Sequence, residues 1–430
     1  MKIIKYPDKK EWDEILKRPL FDSSSLEETV KNILHEVKDK GDEAVRRFTL
    51  QFDKADIGDL QISDEEINDA EDFLSDELKQ AIATAKNNIE MFHRAQLGST
   101  EFVETMPGVQ CWRKMVAIEK VGLYIPGGTA PLFSTVLMLG VPAKLAGCKQ
   151  IILCSPPDTG GKLNPLILFT AKLIGITKIF RVGGVQAIAA MSYGTESIPR
   201  AYKIFGPGNQ YVTCAKQLVQ KQGVAIDLPA GPSEVAVYAD ETAYPAFIAA
   251  DLLSQAEHGV DSQVLLVTTH QLLIDEVLKE IDKQIVELPR KNIAIKALEN
   301  SQIILVKNET AAIDLLNEYA PEHLILACTQ ADDLAEKIIN AGSVFLGNYS
   351  PESAGDYASG TNHTLPTNGY ARSYSGVGID SFVKKITFQK LNKEGLKNIG
   401  RTIELMAEAE GLQAHKNAVS IRRQKLEERS

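Results

Sequence analysis

Cysteine is scarce in this chain, and no run of residues is apolar enough to span a bilayer. The five cysteines are odd in number and show no CxxC spacing, which argues against a disulfide framework or a thiolate metal site and predicts buried thiols. The longest apolar stretch contains Lys172 and Gly175 and is shorter than the roughly 18 residues that a membrane helix needs. The N-terminal residues MKIIKYPD lack the apolar core of a signal peptide. We therefore expect a cytoplasmic protein with no membrane partner.

Basic residues are also fewer than acidic residues. The sequence has 47 Lys and Arg residues against 57 Asp and Glu residues, a formal net charge of −10. This balance argues against a nucleic-acid partner or a general anionic-lipid surface, and it favours a small-molecule partner. The length of 430 residues, with 44% hydrophobic and 24% charged residues, predicts a globular protein of two or more domains.

The N-terminal part of the sequence has the periodicity of helices. Apolar residues recur at helical spacing within residues 25–120, as at Leu26, Val30 and Ile33. We expect residues 1–24 to form an N-terminal helical arm. Residues 25–120 are expected to form a helical region that packs with the second of two α/β domains.

The two α/β domains are predicted from alternating strands and helices. In residues 121–232 the segments VGLYIPGG, IILCSPPDTGG, KIFRVGG and YKIFGPGN each precede an amphipathic segment, which predicts βαβ units and a parallel sheet. Residues 233–380 repeat the alternation from VAVYAD to SVFLG. Residues 381–430 are expected to form two helices broken near Gly411. The predicted fold is α/β, with two Rossmann-like parallel-sheet domains, a helical N-terminal region and a small helical C-terminal tail domain.

Four successive strands of the first α/β domain end in glycine-rich turns. Ligands bind off the carboxyl ends of parallel strands, and glycine lets the backbone approach phosphate groups. A single such turn is better explained by a tight strand end, whereas four in register favour a nucleotide site. The GxGxxG fingerprint is absent, and no Asp or Glu ends the second strand to bind a ribose. Candidates for contacts with adenine, ribose or amide groups are Tyr124, Gln186 and Asn209.

A set of nitrogen and oxygen side chains suggests a metal site. Residues 244–258 have helical spacing and stop at a glycine, so Gln255 and His258 share the last turn of a predicted helix. Asp356, in a long polar loop, and His415 offer two more ligands of compatible type. Such ligands suit Zn²⁺ or Mn²⁺. The alternative for His258 is an interaction with the helix dipole.

The adjacent residues Glu322 and His323 are candidates for acid/base catalysis. They lie between Pro321 and the apolar strand LILAC, a position at which functional residues often occur. Neighbours on an extended backbone face opposite sides, so both reach one pocket only if the turn is irregular. The alternative is a surface Glu beside a strand-end His. His363 is either a ligand or a hydrogen-bonding residue of the loop, and we favour the second interpretation. Surface or core positions are expected for His35, His93 and His270.

Several longer motifs resemble those of the histidinol dehydrogenase family. They include VGLYIPGGTAPLFSTVLMLGVPAKLAGC, KIFGPGNQYVT, DLPAGPSEV, SQAEHG, APEHL, SPESAGDYASGTNH and AEGLQAHKNAV, in the family's order. The resemblance covers about residues 121 to 419. It implies a homodimeric zinc enzyme of histidine biosynthesis that oxidises L-histidinol through L-histidinaldehyde to L-histidine, using two NAD⁺.

The resemblance also implies residue roles. The zinc ion, one per subunit, would be bound by Gln255, His258, Asp356 and, from the neighbouring subunit, His415. Tyr124, Gln186 and Asn209 would bind NAD⁺. Glu322 and His323 would be catalytic. The substrate would contact Ser233, Gln255, His258, His323, Asp356, Glu410 and His415.

A chemical mechanism follows from these roles. A neutral imidazole near pH 7 suits removal of the hydroxyl proton, so His323 is the expected base of both oxidations. Glu322 is expected to activate the water that adds to the aldehyde. Alternatives are a dehydrogenase of the same fold for another small polar alcohol, a zinc hydrolase in which Glu322 activates a metal-bound water, and a non-catalytic nucleotide-binding protein.

Overall fold

Two parallel β-sheets form the framework of the chain. Both belong to one compact unit, here called the main unit, made of Met1–Gln96 and Ile118–Phe382. A second compact unit, the small unit, is made of Leu97–Ala117 and Val383–Ser430. The α/β class predicted from the sequence is confirmed. The computed structural model describes residues 1–18, 23–127, 131–229 and 231–428.

The N-terminal part of the main unit is largely helical, as predicted. Two of its helices begin at serine caps: Ser63 accepts a hydrogen bond from the backbone N–H of Glu66, and Ser75 accepts one from Leu78. The elements are β1 (Lys2–Lys5), α1 (Trp12–Ile15), α2 (Ser23–Lys40), α3 (Asp42–Asp53), α4 (Asp64–Asp69) and α5 (Asp76–Arg94). The expected helical arm thus begins with a strand instead, because residues 2–5 add to the edge of a parallel sheet.

A five-stranded parallel sheet follows two strands of the small unit. The elements are β2 (Phe102–Met106), β3 (Val109–Ala117), β4 (Lys120–Tyr124), α6 (Phe133–Ala146), β5 (Gln150–Ser155), α7 (Pro165–Leu173), β6 (Lys178–Arg181), α8 (Gly184–Tyr193), β7 (Lys203–Phe205), α9 (Gln210–Gln220) and β8 (Ala225–Ile226). The strand order is β6-β5-β4-β7-β8, with all neighbours parallel. Four of these strands are the ones predicted from the glycine-rich segments.

The helical N-terminal region packs on this five-stranded sheet. Ile82 of α5 shares a buried core with Leu123 of β4, and Val30 of α2 shares another with Ile188 of α8. Packing of this region with the second α/β domain was expected from the sequence. The structure differs because the apolar faces of α2 and α5 pack against α8 and α6, the helices that cover the first sheet.

The second sheet has six parallel strands in the order β1-β11-β10-β9-β12-β13. Its elements are β9 (Glu234–Ala239), α10 (Pro245–Ala256), β10 (Gln263–Thr268), α11 (Gln271–Ile285), α12 (Lys291–Glu299), β11 (Gln302–Leu305), α13 (Glu309–Tyr319), β12 (His323–Ala327), α14 (Ala331–Ala335), β13 (Ser343–Leu346), α15 (Glu352–Tyr357) and α16 (Ile379–Phe382). The central strands β9 and β10 are buried along their whole length, as expected for a sheet covered on both faces.

The small unit combines an antiparallel sheet with two helices. Its C-terminal elements are β14 (Val383–Leu391), α17 (Lys393–Ala409) and α18 (Gln413–Glu427). The predicted break near Gly411 is confirmed, since this residue adopts a φ of 72° between the two helices. Strand β14 was not predicted; it pairs with β3, which pairs in turn with β2.

Two features of composition can be checked in the structure. Cys148, Cys154 and Cys328 are buried, as predicted, whereas Cys111 and Cys214 are half-buried, and all five are free thiols. Among the described residues, no helix has both the length and the apolar composition required to cross a membrane.

Candidate active site

The predicted acid/base pair lies at the amino end of β12. Ala320, before Pro321, has a φ of 51°, a left-handed conformation that is uncommon for a residue other than glycine. The turn brings the two side chains together, with Glu322 Oε2 at 3.5 Å from His323 Nδ1. Both side chains are buried, at 7% and 2% exposure. The irregular turn that the sequence analysis required is therefore present.

The backbone of Glu234, at the start of the neighbouring strand β9, contacts both members of the pair. Its N–H donates a hydrogen bond of 2.9 Å to Glu322 Oε2, and its carbonyl oxygen lies 3.1 Å from His323 Nδ1. Because a carbonyl can only accept, this contact favours a proton on Nδ1 and leaves Nε2 as the basic atom. The Gln255 Nε2 atom lies 3.0 Å from the same Nδ1 and donates to the Glu234 carbonyl oxygen at 3.4 Å.

The other side of the His323 ring faces two carboxyl groups of α15. His323 Nε2 lies 3.4 Å from Asp356 Oδ1, and His323, Glu352 and Asp356 offer ligand atoms that all lie within 4.8 Å of one another. From the sequence, Asp356 was expected in a polar loop, but it lies on helix α15. Glu352 was missed, although its spacing of four residues from Asp356 would place both on one helix face.

Three buried polar atoms of this cluster have no hydrogen-bond partner within the described part of the chain. They are Gln255 Oε1, His323 Nε2 and Asp356 Oδ1. Buried polar atoms are nearly always paired, so such a group in one place indicates a ligand site. The two oxygen atoms, Gln255 Oε1 and Asp356 Oδ1, are ligands suited to Zn²⁺ or Mn²⁺. The donor set therefore fits a bound divalent cation.

The carboxylates shift the pKa of the histidine strongly. Burial alone would lower the pKa of His323, but the nearby carboxylates of Glu322 and Asp356 raise it well above its usual value. Burial would raise the pKa of Asp356, but the neighbouring imidazole of His323 holds it below its ordinary range. Burial, together with the charge of Asp356, raises the pKa of Glu352 to about 8. A neutral imidazole was expected from the sequence, whereas these protein charges alone favour the imidazolium.

The remaining predicted ligands differ in their burial. Gln255 is buried in the last turn of α10, and His258 lies just beyond that helix and is exposed. Partial desolvation lowers the pKa of His258, and the charges of Asp356 and Glu322 act in the opposite direction. Glu410 and His415 are exposed residues of the small unit. Their assignment to the site of a neighbouring subunit stays a prediction.

A small cavity of about 60 Å³ adjoins the acid/base pair. It is lined by Gly206 after β7, by Ser233 before β9 and by Glu322, so the carboxyl edge of the five-stranded sheet meets the amino edge of the six-stranded sheet here. His363 also lines it, with Nδ1 at 2.9 Å from the carbonyl oxygen of Asp356 and Nε2 at 3.1 Å from Thr135 Oγ1. The prediction that His363 forms loop hydrogen bonds is confirmed.

A larger cavity of about 1190 Å³ lies at the carboxyl edge of the five-stranded sheet. Tyr124, Gln186 and Asn209 all line it, as the sequence analysis expected for a nucleotide site. The Tyr124 hydroxyl accepts a hydrogen bond of 3.2 Å from the N–H of Gly184. Asn209 caps α9 through Oδ1, which leaves its amide nitrogen to offer a ligand. The buried Gln186 Oε1 has no partner among the described residues, which fits a cofactor contact.

Asp53 is a further residue of this cavity that the sequence analysis missed. It ends α3 and accepts a hydrogen bond of 3.5 Å from Gln186 Nε2. Burial raises the pKa of Asp53 to about 6. Its position far upstream of the glycine-rich turns gave no spacing signal, so only the packing of α3 against α8 reveals its proximity.

Comparisons with known proteins agree with one another over nearly the whole chain. The sequence model of a family described as Histidinol dehydrogenase matches residues 16–423. A protein named Histidinol dehydrogenase from Bacteroides thetaiotaomicron is 62% identical over 422 residues, covering 98% of this chain and 99% of that protein. One of the same name from Escherichia coli (strain K12) is 51% identical over 420 residues, covering 97% and 96%. The crystal structure of histidinol dehydrogenase from Elizabethkingia anophelis is 56% identical, with a TM-score of 0.97 and 99% coverage of both chains.

Proposed function

The chain belongs to the histidinol dehydrogenase family, and we propose that it oxidises L-histidinol through L-histidinaldehyde to L-histidine with two molecules of NAD⁺. These are the last steps of histidine biosynthesis. The observation that carries the proposal is the buried cluster in which Glu322 and His323 adjoin the unpaired ligand atoms of Gln255 and Asp356. We further propose a cytoplasmic homodimer whose partners include neither nucleic acid nor membranes.

The proposed cation is one Zn²⁺ per subunit. The residues that would bind it are Gln255, His258 and Asp356 of one subunit and His415 of the partner subunit. When bound, zinc would anchor the imidazole and amino nitrogens of histidinol and would offset the negative charge of Asp356 beside His323. Ser233, which adjoins Glu322 in the small cavity, and Glu410 of the partner subunit are proposed to complete the substrate contacts.

The proposed cofactor site is the larger cavity of the five-stranded sheet. The cavity has room for a dinucleotide and opens at the strand ends at which cofactors bind in parallel sheets. Tyr124, Gln186 and the amide nitrogen of Asn209 supply polar contacts. When bound, NAD⁺ would accept one hydride in each of the two oxidations.

In the first oxidation His323 is the proposed base. Its Nδ1 is oriented by the carbonyl of Glu234, and its Nε2 takes the hydroxyl proton as the C–H bond breaks. Burial excludes bulk water from the ring, so the proton is transferred to a fixed acceptor atom. The aldehyde carbon has no hydroxyl, and a second hydride cannot leave until water has been added.

In the second oxidation Glu322 is the proposed activator of that water. Its Oε2 accepts the Glu234 N–H, which leaves the other carboxylate oxygen to accept a proton from water. The hydrated aldehyde again has a hydroxyl group, and His323, after releasing the first proton to water, would remove this second proton. One imidazole thus serves both oxidations, and the carboxylate serves the hydration step between them.

The stoichiometry of NADH formation tests the proposed function. Purified protein supplied with limiting L-histidinol should form two NADH per substrate, which the absorbance of NADH measures. Preincubation with a chelator should abolish the reaction, and added Zn²⁺ should restore it. No NADH formation by the zinc-loaded protein would reject the proposal. Formation of only one NADH per L-histidinol would show that the protein oxidises the alcohol but not the aldehyde.

Asp53 is expected to contribute to NAD⁺ binding. The variant Asp53→Asn should raise the KM for NAD⁺ about tenfold with little change in kcat, because a charge-assisted hydrogen bond is worth about 1.5 kcal/mol or more. With a pKa of about 6, the carboxylate is lost as the pH falls through that value. The KM of the unaltered protein should therefore rise below pH 6, and that of Asp53→Asn should not.

The matched control for this prediction is Asp56→Asn. Asp56 is an exposed residue just beyond α3. The KM of Asp56→Asn for NAD⁺ should therefore stay within twofold of the KM of the unaltered protein. Steady-state kinetics with varied NAD⁺ at saturating L-histidinol measure both variants. An unchanged KM in Asp53→Asn would show that its carboxylate does not contact the cofactor.

A further inference from the structure

The backbone of Glu234 is the common support of the two proposed catalytic side chains. Its N–H binds Glu322 at 2.9 Å, and its carbonyl oxygen lies 3.1 Å from His323 Nδ1. Glu234 starts β9, which pairs directly with β12 in the centre of the sheet. A shift of this single residue would change the direction of the Glu322 carboxylate and weaken the contact that leaves Nε2 of His323 basic.

The side chain of Glu234 is fixed by a residue that lies far away in the sequence. Arg18 forms bidentate hydrogen bonds with the Glu234 carboxylate: Nε donates to Oε1 at 2.5 Å, and Nη2 donates to Oε2 at 2.8 Å. The backbone N–H of Asn368 donates to Oε1 at 2.8 Å. The Glu234 side chain is 3% exposed and that of Arg18 is 13% exposed. A planar guanidinium that binds a carboxylate in this way fixes its orientation as well as its charge.

Arg18 also contacts the segment that leads into the acid/base pair. Its Nη2 donates to the carbonyl oxygen of Tyr319 at 2.8 Å, and the guanidinium lies over the Tyr319 ring at 4.0 Å from its centroid. Tyr319 ends α13, directly before the irregular turn at Ala320. One arginine therefore joins the strand that supports the pair to the turn that presents it.

The charges of Arg18 and Glu234 are both needed to keep Glu322 in its position. Glu234, the first residue of β9, and Glu322, the residue before β12, are both buried. Burial raises the pKa of Glu234, the contact with Arg18 opposes this shift, and the charge of Glu322 adds to it. Arg18 is the cation that contacts Glu234 directly. Without it, the two carboxyl groups would repel each other, and Glu322 would be displaced from the position that its hydrogen bond defines.

From these contacts we propose that Arg18 and Glu234 act together as positioning residues for Glu322 and His323. Neither is a catalytic residue, because their charged groups bind each other and the backbone of Tyr319 and Asn368. This inference rests on the proposed function, since the activity affected is the oxidation of L-histidinol and L-histidinaldehyde.

The variant Arg18→Met tests the proposal. It should lower kcat for both oxidation steps by on the order of 10²-fold per zinc-loaded site, the range of general acid/base contributions. The KM values for L-histidinol and NAD⁺ and the zinc content should stay within about twofold. Arg18→Lys should recover part of kcat, because lysine restores the positive charge but cannot form the bidentate hydrogen bonds of the guanidinium. A role in stability alone would lower the melting temperature and leave kcat per zinc-loaded site unchanged, and that result would overturn the proposal.

Two further variants keep the test decisive. Glu234→Gln retains the size and backbone of residue 234, so it reports on the pair even if Arg18→Met does not fold, and it too should lower kcat. The double variant Arg18→Met/Glu234→Gln should lose no more kcat than Arg18→Met, since residues that act as one unit are not additive. Losses that multiply would contradict a joint role.

The matched control is Arg372→Met. Arg372 binds the carbonyl oxygen and carboxylate of Glu318 at the end of the same helix, α13, without contacting Glu234. The kcat of Arg372→Met should stay within twofold of that of the unaltered protein. A loss of kcat equal to that of Arg18→Met would assign the effect to anchoring of the helix end.

If the unaltered, zinc-loaded protein forms no NADH from L-histidinol, the proposed function fails. If the unaltered protein is active and Arg18→Met has the same kcat, only the positioning role fails.

Discussion

His323→Asn is expected to lower the rate of both oxidations by roughly 10²-fold or more, the contribution typical of a positioned general base. Asparagine can retain a donor close to the position of Nδ1 and so preserve the contact with the Glu234 carbonyl. It has no atom at the position of Nε2. The loss should therefore report the missing basic atom instead of a collapse of the pocket. Single-turnover assays with L-histidinol and with L-histidinaldehyde measure the two steps separately.

Glu322→Gln is the comparison variant for this prediction. The glutamine oxygen can still accept the Glu234 N–H that Glu322 accepts at 2.9 Å, but the amide cannot take a proton from water. Oxidation of the aldehyde should fall much more than oxidation of the alcohol. Equal losses in the two steps would contradict the assignment of Glu322 to water activation. A loss in only one step for His323→Asn would contradict its double role.

Much of the framework could be predicted because strand signals in this chain are local. The segments around Val121, Ile151 and Leu324 are short apolar runs bounded by glycine or proline, and each forms a strand. The packing of the N-terminal helices could not be predicted. An apolar helix face shows that it is buried but does not identify the sheet against which it packs.

The candidate site was only partly visible in the sequence for a related reason. Glu322, His323 and Gln255 are close to turns and helix ends that local patterns reveal. The contacts of Arg18 and Asp53 depend on pairings across long stretches of sequence, which no local pattern encodes. Glu234 contributes mainly through its backbone N–H and carbonyl groups, which every residue type other than proline possesses.

The charge state of His323 also required three-dimensional information. The sequence placed one carboxylate beside the imidazole, and the structure adds Asp356 on its other side. Two carboxylates together outweigh the effect of burial and raise the pKa of the histidine. A cation bound at Asp356 and Gln255 would oppose that effect. The proposed base and the proposed metal site are therefore electrostatically dependent on each other.

Mixed dimers are expected to regain activity if each site uses His415 of the partner subunit. His415→Asn should lower zinc affinity by on the order of 10²-fold or more, given that even outer-shell changes reach that size, and His323→Asn should remove the base. In a mixed dimer one site then carries both changes and the other carries neither. Random mixing of equal amounts should restore about a quarter of the activity, because half of the dimers would have one intact site of two. Coexpressed, differently tagged subunits provide the measurement.

Asp356→Asn mixed with His323→Asn is the matched control. Both residues belong to the main unit and contact each other, with His323 Nε2 at 3.4 Å from Asp356 Oδ1, so every site of such a mixed dimer would carry one of the two changes. No activity should return. Recovery in the first mixture and not in the second requires that the small unit supplies His415 across a subunit boundary. If neither mixture recovers although tag purification proves that mixed dimers form, His415 does not complete the partner's site, and the fourth zinc ligand must come from elsewhere.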